Sequence, residues 1–248
     1  MRSNKLLFSS LRSSQELLSA SLYDTIRTIL ERHFLSEINM NLKKNIRDFL
    51  LFTLIVFCSY YFIDTKIALF IAKIWASSAR LSIFSTNIPD LLFPFVCIIT
   101  GFAWTSYFYL GHKGIYNRLT QFFLLVAISI PITFFLKSAL KHFFGRVNTR
   151  FWLRHPHVTE FHWFQGEGNY DGFPSGHMAV FMALMVALWK YYPSHRLAYL
   201  VFLSALALAL IVTNYHFMSD IIAGAYLGFI IHQIAVYGLA RLDKSNNV

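Results

Sequence analysis

Gly172-Phe173-Pro174-Ser175-Gly176-His177 follows a polar, aromatic-rich loop and runs at once into the apolar segment from Met178 to Trp189. A small-residue turn that feeds a helix leaves backbone N–H groups without helical partners. With the helix dipole behind them, those groups make an anion site well suited to phosphate. Ser175 adds a hydroxyl donor, Gly176 lets the backbone come close, and His177 can give or take a proton near neutral pH. The same residues also read as a turn and helix cap that contains a histidine, so the rest of the chain must separate the two readings.

Composition sets the setting for that turn. The 248 residues are 56% hydrophobic, 18% aromatic and only 14% charged, with a mean hydropathy of +0.49. That is too apolar for a water-soluble domain and points to an all-α polytopic membrane protein. The formal net charge of +10 fits cytoplasmic-side anchoring and a phosphate site, so no nucleic-acid partner is expected. Cys58 and Cys97 both lie in apolar runs and read as packing residues. There is no internal repeat.

A helix needs about 20 mainly apolar residues to cross a bilayer. Six stretches qualify or nearly so: Ile46–Ile63, Leu91–Leu110, Gln121–Leu140, Met178–Tyr191, Leu197–Asn214 and Ile221–Leu239, the fourth being short. Lys66–Ser85, broken by Lys66, Lys73 and Arg80, reads as an interfacial or re-entrant helix. Residues 1–45 form a polar to amphipathic cytoplasmic segment, in which Ile26, Leu30 and Phe34 share a weak helical face. A transmembrane domain over 46–240 and a tail over 241–248 complete the division. With the N-terminus inside, 14 of the 22 Lys and Arg fall on the cytoplasmic side and 8 on the other, as the positive-inside rule asks. A start at Met40 would leave an ordinary cytoplasmic lead into the first span, so residues 1–39 are expected to be dispensable.

Five of the eight far-side cations, Lys137, Lys141, Arg146, Arg150 and Arg154, cluster around the end of the third span. A cluster that breaks the topology rule reads as a ligand site rather than an anchor, since Arg grips phosphate oxygens in pairs and Lys adds a point charge. A third group, Tyr215-His216-Phe217-Met218-Ser219-Asp220, lies where span five gives way to span six. His216 and Asp220 would share a helix face, the carboxylate fixing one ring nitrogen and leaving the other as nucleophile or base. An Asp beside a span is costly and asks for a function. The topology brings all three groups to one membrane face, which joins them into one expected site.

Pro174-Ser175-Gly176-His177, His216-Phe-Met-Ser-Asp220 and the preceding basic Gly-Arg segment resemble the type-2 phosphatidic acid phosphatase (PAP2) superfamily over about Lys141 to Gly228. Six spans fit its membrane lipid phosphatases rather than its soluble vanadium haloperoxidases. The resemblance implies an all-helical, metal-independent phosphohydrolase that needs no cofactor. It implies His216 as the nucleophile, Asp220 as its orienter and His177 as the acid for the leaving oxygen. Ser175 and Gly176 would hold phosphate oxygens, and Lys141 would match the first-motif lysine. Two family arginines are missing: Asn148-Thr149 stands in place of Arg-Pro, and Ala209-Leu210 in place of Ser-Arg. Arg146 or Arg150 is expected to supply the first charge, and nothing near Leu210 replaces the second.

The expected partners are a phosphorylated membrane lipid and the bilayer, with no obligate protein partner. Polyprenyl pyrophosphate, phosphatidylglycerol phosphate, phosphatidic acid and a lipid A phosphate all remain open. The expected location is a bacterial inner membrane with the site on the periplasmic face. His155, His157 and His162 interleave with Phe151, Trp152, Phe161, Trp163 and Phe164, and read as an aromatic lid at the lipid headgroups rather than a metal site. Transfer of the phosphoryl group to a second lipid, and a non-catalytic lipid-binding or transport protein on the same scaffold, are the two alternatives.

Overall fold

The structure is a computed structural model that describes Lys43 and residues 46–76 and 91–245, with side chains given up to Ala240. The expected N-terminal surface helix, residues 77–85 of the expected interfacial helix, and the end of the tail lie outside the described residues. The chain divides into two units, Met1–Thr53 and Leu54–Val248, and the residues of the candidate site all lie in the second.

The helices are α1 (Ile46–Ala76), α2 (Leu92–His112), α3 (Arg118–Phe144), α4 (Thr149–Arg154), α5 (Gly176–Tyr191), α6 (Arg196–Val212) and α7 (Met218–Ser245). A single turn of 3-10 helix, Pro193–His195, leads into α6. Among the described residues five helices are long and apolar enough to cross a membrane, and α5 is a shorter apolar one. The fold is an all-α polytopic bundle. The stretch from Lys66 is not a separate interfacial element. A π-helical turn, Tyr60–Asp64, runs straight into Thr65–Ala76, so Lys66 and Lys73 are exposed cations on the continuation of the first span.

The local sequence sets these ends. Asn117 caps α3 by accepting from the Leu119 and Thr120 amides, and Gly145 ends it at φ 52°, in the left-handed region. A Cβ at Gly145 would also lie 1.8 Å from the His162 carbonyl oxygen, so only glycine fits. Ser175 caps α5, its hydroxyl accepting from the Met178 amide.

At 16 residues α5 is too short to span alone, and it sits in the middle of the bundle. Ala179, Val180, Ala183 and Ala187 are all fully buried. Its small residues let α7 approach closely: a Cβ at Gly224 would stand 2.4 Å from the Ser175 carbonyl oxygen, and one at Gly228 2.1 Å from that of Ala179. This is the small-residue spacing that brings helix backbones together in a bilayer. Val180 and Leu184 continue into a core with Leu125 and Ile130 of α3 and Leu92 and Val96 of α2. In α3, 39% of the most apolar window is buried, against 6% in the window running through α6. The apolar surface of α6 therefore faces outward, as a lipid-facing helix requires.

Candidate active site

The segment between α3 and α5 folds back over the end of α3. His162 donates to the Gly145 carbonyl at 2.8 Å, Val147 to that of Glu160 at 2.8 Å, and Gly172 to that of Arg146 at 2.8 Å. These bonds place Arg146 opposite Phe161 and turn its side chain into the protein.

Arg146 is 1% exposed. Its Nη1 donates to Asp220 Oδ1 at 2.5 Å and to Ser219 Oγ at 2.6 Å, and its Nη2 to Asp64 Oδ2 at 2.9 Å. Glu160 lies 3.7 Å away. The rings of Tyr60 and Phe217 lie 5.0 and 4.5 Å from the guanidinium carbon. Burial alone would lower its pKa, but Asp220 and Asp64 outweigh that and raise it, so the group stays charged. The expectation that Arg146 grips phosphate is corrected here: its terminal nitrogens are taken by carboxylates and a hydroxyl, away from any open space.

Asp64 closes the network from α1. Its Oδ1 accepts from the Ser219 amide at 2.9 Å and from Ser59 Oγ at 3.3 Å, and its Oδ2 accepts from Ser219 Oγ. Asp64, Arg146, Ser219 and Asp220 are each 2% exposed or less. Charges taken this far from water persist only when paired and hydrogen-bonded.

Asp220 ties this network to His216, though not along a helix as expected. His216 precedes α7, and Asp220 sits in its first turn, where Oδ2 accepts from the Phe217 amide at 3.0 Å. That staple holds the carboxylate 3.6 Å from His216 Nδ1, beyond hydrogen-bond length but within ion-pair reach. Nε2 of His216 has no hydrogen-bond partner among the described residues. Burial pulls the His216 pKa below its ordinary value of 6.5, and Asp220 opposes that only in part. The ring is therefore neutral at neutral pH.

His216 also lines a cavity of about 280 Å³ with Lys141, Asn148, Arg150, Arg154, Asp171 and Tyr215. Lys141, Arg150 and Arg154 face one carboxylate, Asp171, so the lining is cationic by two charges. Lys141 Nζ lies 3.2 Å from Asp171 Oδ2. Arg150 donates through Nε to the Thr213 carbonyl at 3.1 Å and stacks 5.1 Å from the Tyr215 ring centroid. Asn148, where the family motif has arginine, caps α4 through the Phe151 amide at 2.8 Å and so aims Arg150 and Arg154. Leu210, at the other missing arginine, is packed with Met178 and Ile221.

The Ser-Gly-His turn stands beside this cavity. The Tyr215 ring is edge-on to both imidazoles, 5.8 Å from His177 and 4.9 Å from His216 between centroids. Ser175 is fully buried, and its amide donates to the Asp220 carbonyl at 3.0 Å. A Cβ at Gly176 would meet Lys137 Cδ at 3.1 Å. Ser175 and Gly176 therefore join α5 to its neighbours and do not line the cavity. In the loop, Trp163 and Phe164 are exposed while Trp152 is buried, so only part of the expected aromatic lid faces outward. No group of His, Cys, Asp or Glu among the described residues is arranged to hold a metal.

Sequence reading did not single out Asp64, Ser219 or Asn148 for the site, and took Arg154 only as one of a cluster. Asp64 carried a usable signal, a carboxylate ending the apolar run Ile46–Ile63, since such residues need a partner.

The family model for the PAP2 superfamily matches residues 119–243. No curated protein matches the chain, and no solved structure does. The matched half holds Lys141, His177, His216 and Asp220, together with the cavity that Lys141 and His216 line, and on that match the chain is a member of the PAP2 superfamily, a family generally of phosphatases, built here into a membrane protein.

Proposed function

We propose that the protein is a membrane phosphatase that releases phosphate from a phosphorylated lipid through a phosphohistidine on His216, without a metal. One observation carries this reading: a buried, neutral imidazole opens onto a cavity lined by Lys141, Arg150 and Arg154. Phosphoryl transfer needs an in-line nucleophile and neutralisation of the equatorial oxygens. Asp220 faces Nδ1, which leaves Nε2 to attack. The N–P bond forms as the P–O bond to the lipid breaks, and His177 gives its proton to the departing oxygen. His177 then takes a proton from water, whose oxygen attacks phosphorus and restores His216 with inorganic phosphate as product. Arg150 takes the place of the absent first-motif arginine, and Lys141 keeps the family position.

The lipid is a terminal phosphate or pyrophosphate ester, reached from the non-cytoplasmic face of a bacterial inner membrane. The topology supports that face, because the site lies where α3 and α6 end and α5 and α7 begin. Leu210, an apolar core residue in place of a phosphate-binding arginine, favours a second reading in which the scaffold binds lipid without turnover. Purified protein assayed on a panel of lipid phosphates with EDTA present separates them. The catalytic reading expects phosphate release that falls on the order of 10⁶-fold in His216→Ala, as removal of a nucleophile does. No release by folded wild type, and no transfer to an acceptor lipid, would leave the binding reading.

A further inference from the structure

The mechanism uses Asp220 but leaves Asp64 and Arg146 unexplained. Both are almost fully buried, and Asp64 lies in α1, outside the residues matched to the family. One guanidinium stands between two carboxylates, 2.9 Å from Asp64 and 2.5 Å from Asp220. A structural salt bridge needs only one of them. The second leaves this buried trio with a net charge of −1, set behind the imidazole that becomes cationic as it attacks phosphorus.

We propose that Asp64 is a positioning residue of the reaction: through Arg146 and Ser219 it holds the first helix to Asp220 and sets the charge that Asp220 presents to His216. With Asp64 drawing part of Arg146's charge, the Asp220 carboxylate keeps its power to stabilise the imidazolium formed on attack. Without it, Arg146 turns wholly to Asp220 and offsets that power. Ser219 locks the geometry by receiving from Arg146 while giving both its amide and its hydroxyl to Asp64. The other charged or titratable groups around His216 are Lys141 from α3, Asp171 from the loop, Arg150 and Arg154 from α4, adjacent Tyr215, and His177 from α5 across the Tyr215 ring. Around Arg146 they are Glu160 from the loop and Tyr60 from α1. None of these changes in the variants below.

The inference rests on the phosphohistidine reading, and its test compares three variants by the acid limb of kcat against pH. Asp64→Asn takes the trio from −1 to 0. Its kcat should fall roughly 10- to 100-fold, the range seen when a group behind a catalytic ligand is lost, with KM little changed and the acid limb moved to lower pH. Arg146→Gln takes the trio to −2 and should move the limb to higher pH. The double variant returns it to −1 and should bring the limb back between the two. A simple packing role predicts instead that the double variant is worst and that the limbs coincide. Titration of the His216 imidazole by NMR must give the same order, and it reads the charge without turnover. Limbs and titrations that stay together, or move the same way in both single variants, overturn the proposal. A wild type that releases phosphate while the limbs coincide sinks this inference alone; a wild type that never does sinks the phosphatase reading.

Discussion

Arg146 and Arg150 lie four residues apart on the same basic stretch and have opposite fates. Arg146 is 1% exposed and surrounded by acid groups, whereas Arg150 opens onto the cavity, held by the Thr213 carbonyl and the Tyr215 ring. Residue type does not separate them. Gly145 turns the chain so that Arg146 meets Phe161 and points inward, while Asn148 starts a short helix that carries Arg150 and Arg154 along the cavity. The carboxylate pair in the core claims one arginine and leaves the other on the cavity wall, where the proposed function has it meet the phosphate. A cation cluster in a membrane protein therefore divides into anchors and ligands by where its counter-charges lie.

The sharpest way to break this contrast is to truncate each arginine. Arg146→Ala leaves two buried carboxylates unpaired and should cost about 3–5 kcal/mol of stability, read as a lowered melting temperature in detergent with activity lost alongside. Arg150→Ala should leave melting nearly unchanged yet lower kcat/KM roughly 100-fold, as loss of a transition-state donor does. If the two variants behaved alike, the division into anchor and ligand would be wrong.

Gly224→Ala tests the joint between the regions. Its methyl would strike the Ser175 carbonyl, and overpacking of this kind costs about 1–3 kcal/mol. The displacement also separates Ser175 from Asp220, so activity should drop more than melting alone explains.

A smaller effect is expected from pH. The folded His216 pKa lies below 6.5, so the unfolded chain binds that proton first as pH falls. Its contribution to stability is whole above about 6.5 and is lost progressively below it. A melting temperature that fell with pH in wild type but less in His216→Ala would agree. Smallest of all is Arg154→Ala, at the exposed edge of the cavity, which should raise KM a few-fold.

Much of this was legible in the residues. Apolar runs marked the crossing helices because a bilayer imposes a fixed length, and the short run at Met178 foretold a helix that borrows its first turn from the Ser-Gly-His motif. His177, His216 and Asp220 were picked out in the sequence by type and spacing, and the structure brings the two imidazoles to either side of Tyr215. The continuation of α1 past Asp64 was not, since Lys66 and Lys73 interrupt the run although a helix can carry exposed lysines where it passes the hydrocarbon. Asp64 could not be paired with Arg146 and Ser219 from sequence either: they are 82 and 155 positions away, a distance that only tertiary packing closes. Ser175 and Gly176 looked like phosphate holders because a capped helix start has that capacity, yet α7 approaches so closely that Asp220 and Gly224 occupy their surroundings.

The most direct test of the account is to trap the intermediate. Wild type mixed with a lipid carrying a radiolabelled terminal phosphate and quenched within a turnover should yield labelled protein that is stable to base and labile to acid, with the label on His216. His216→Ala should carry none. Turnover without a labelled protein, or label on any other residue, would contradict the claim that His216 is the nucleophile facing the cationic cavity.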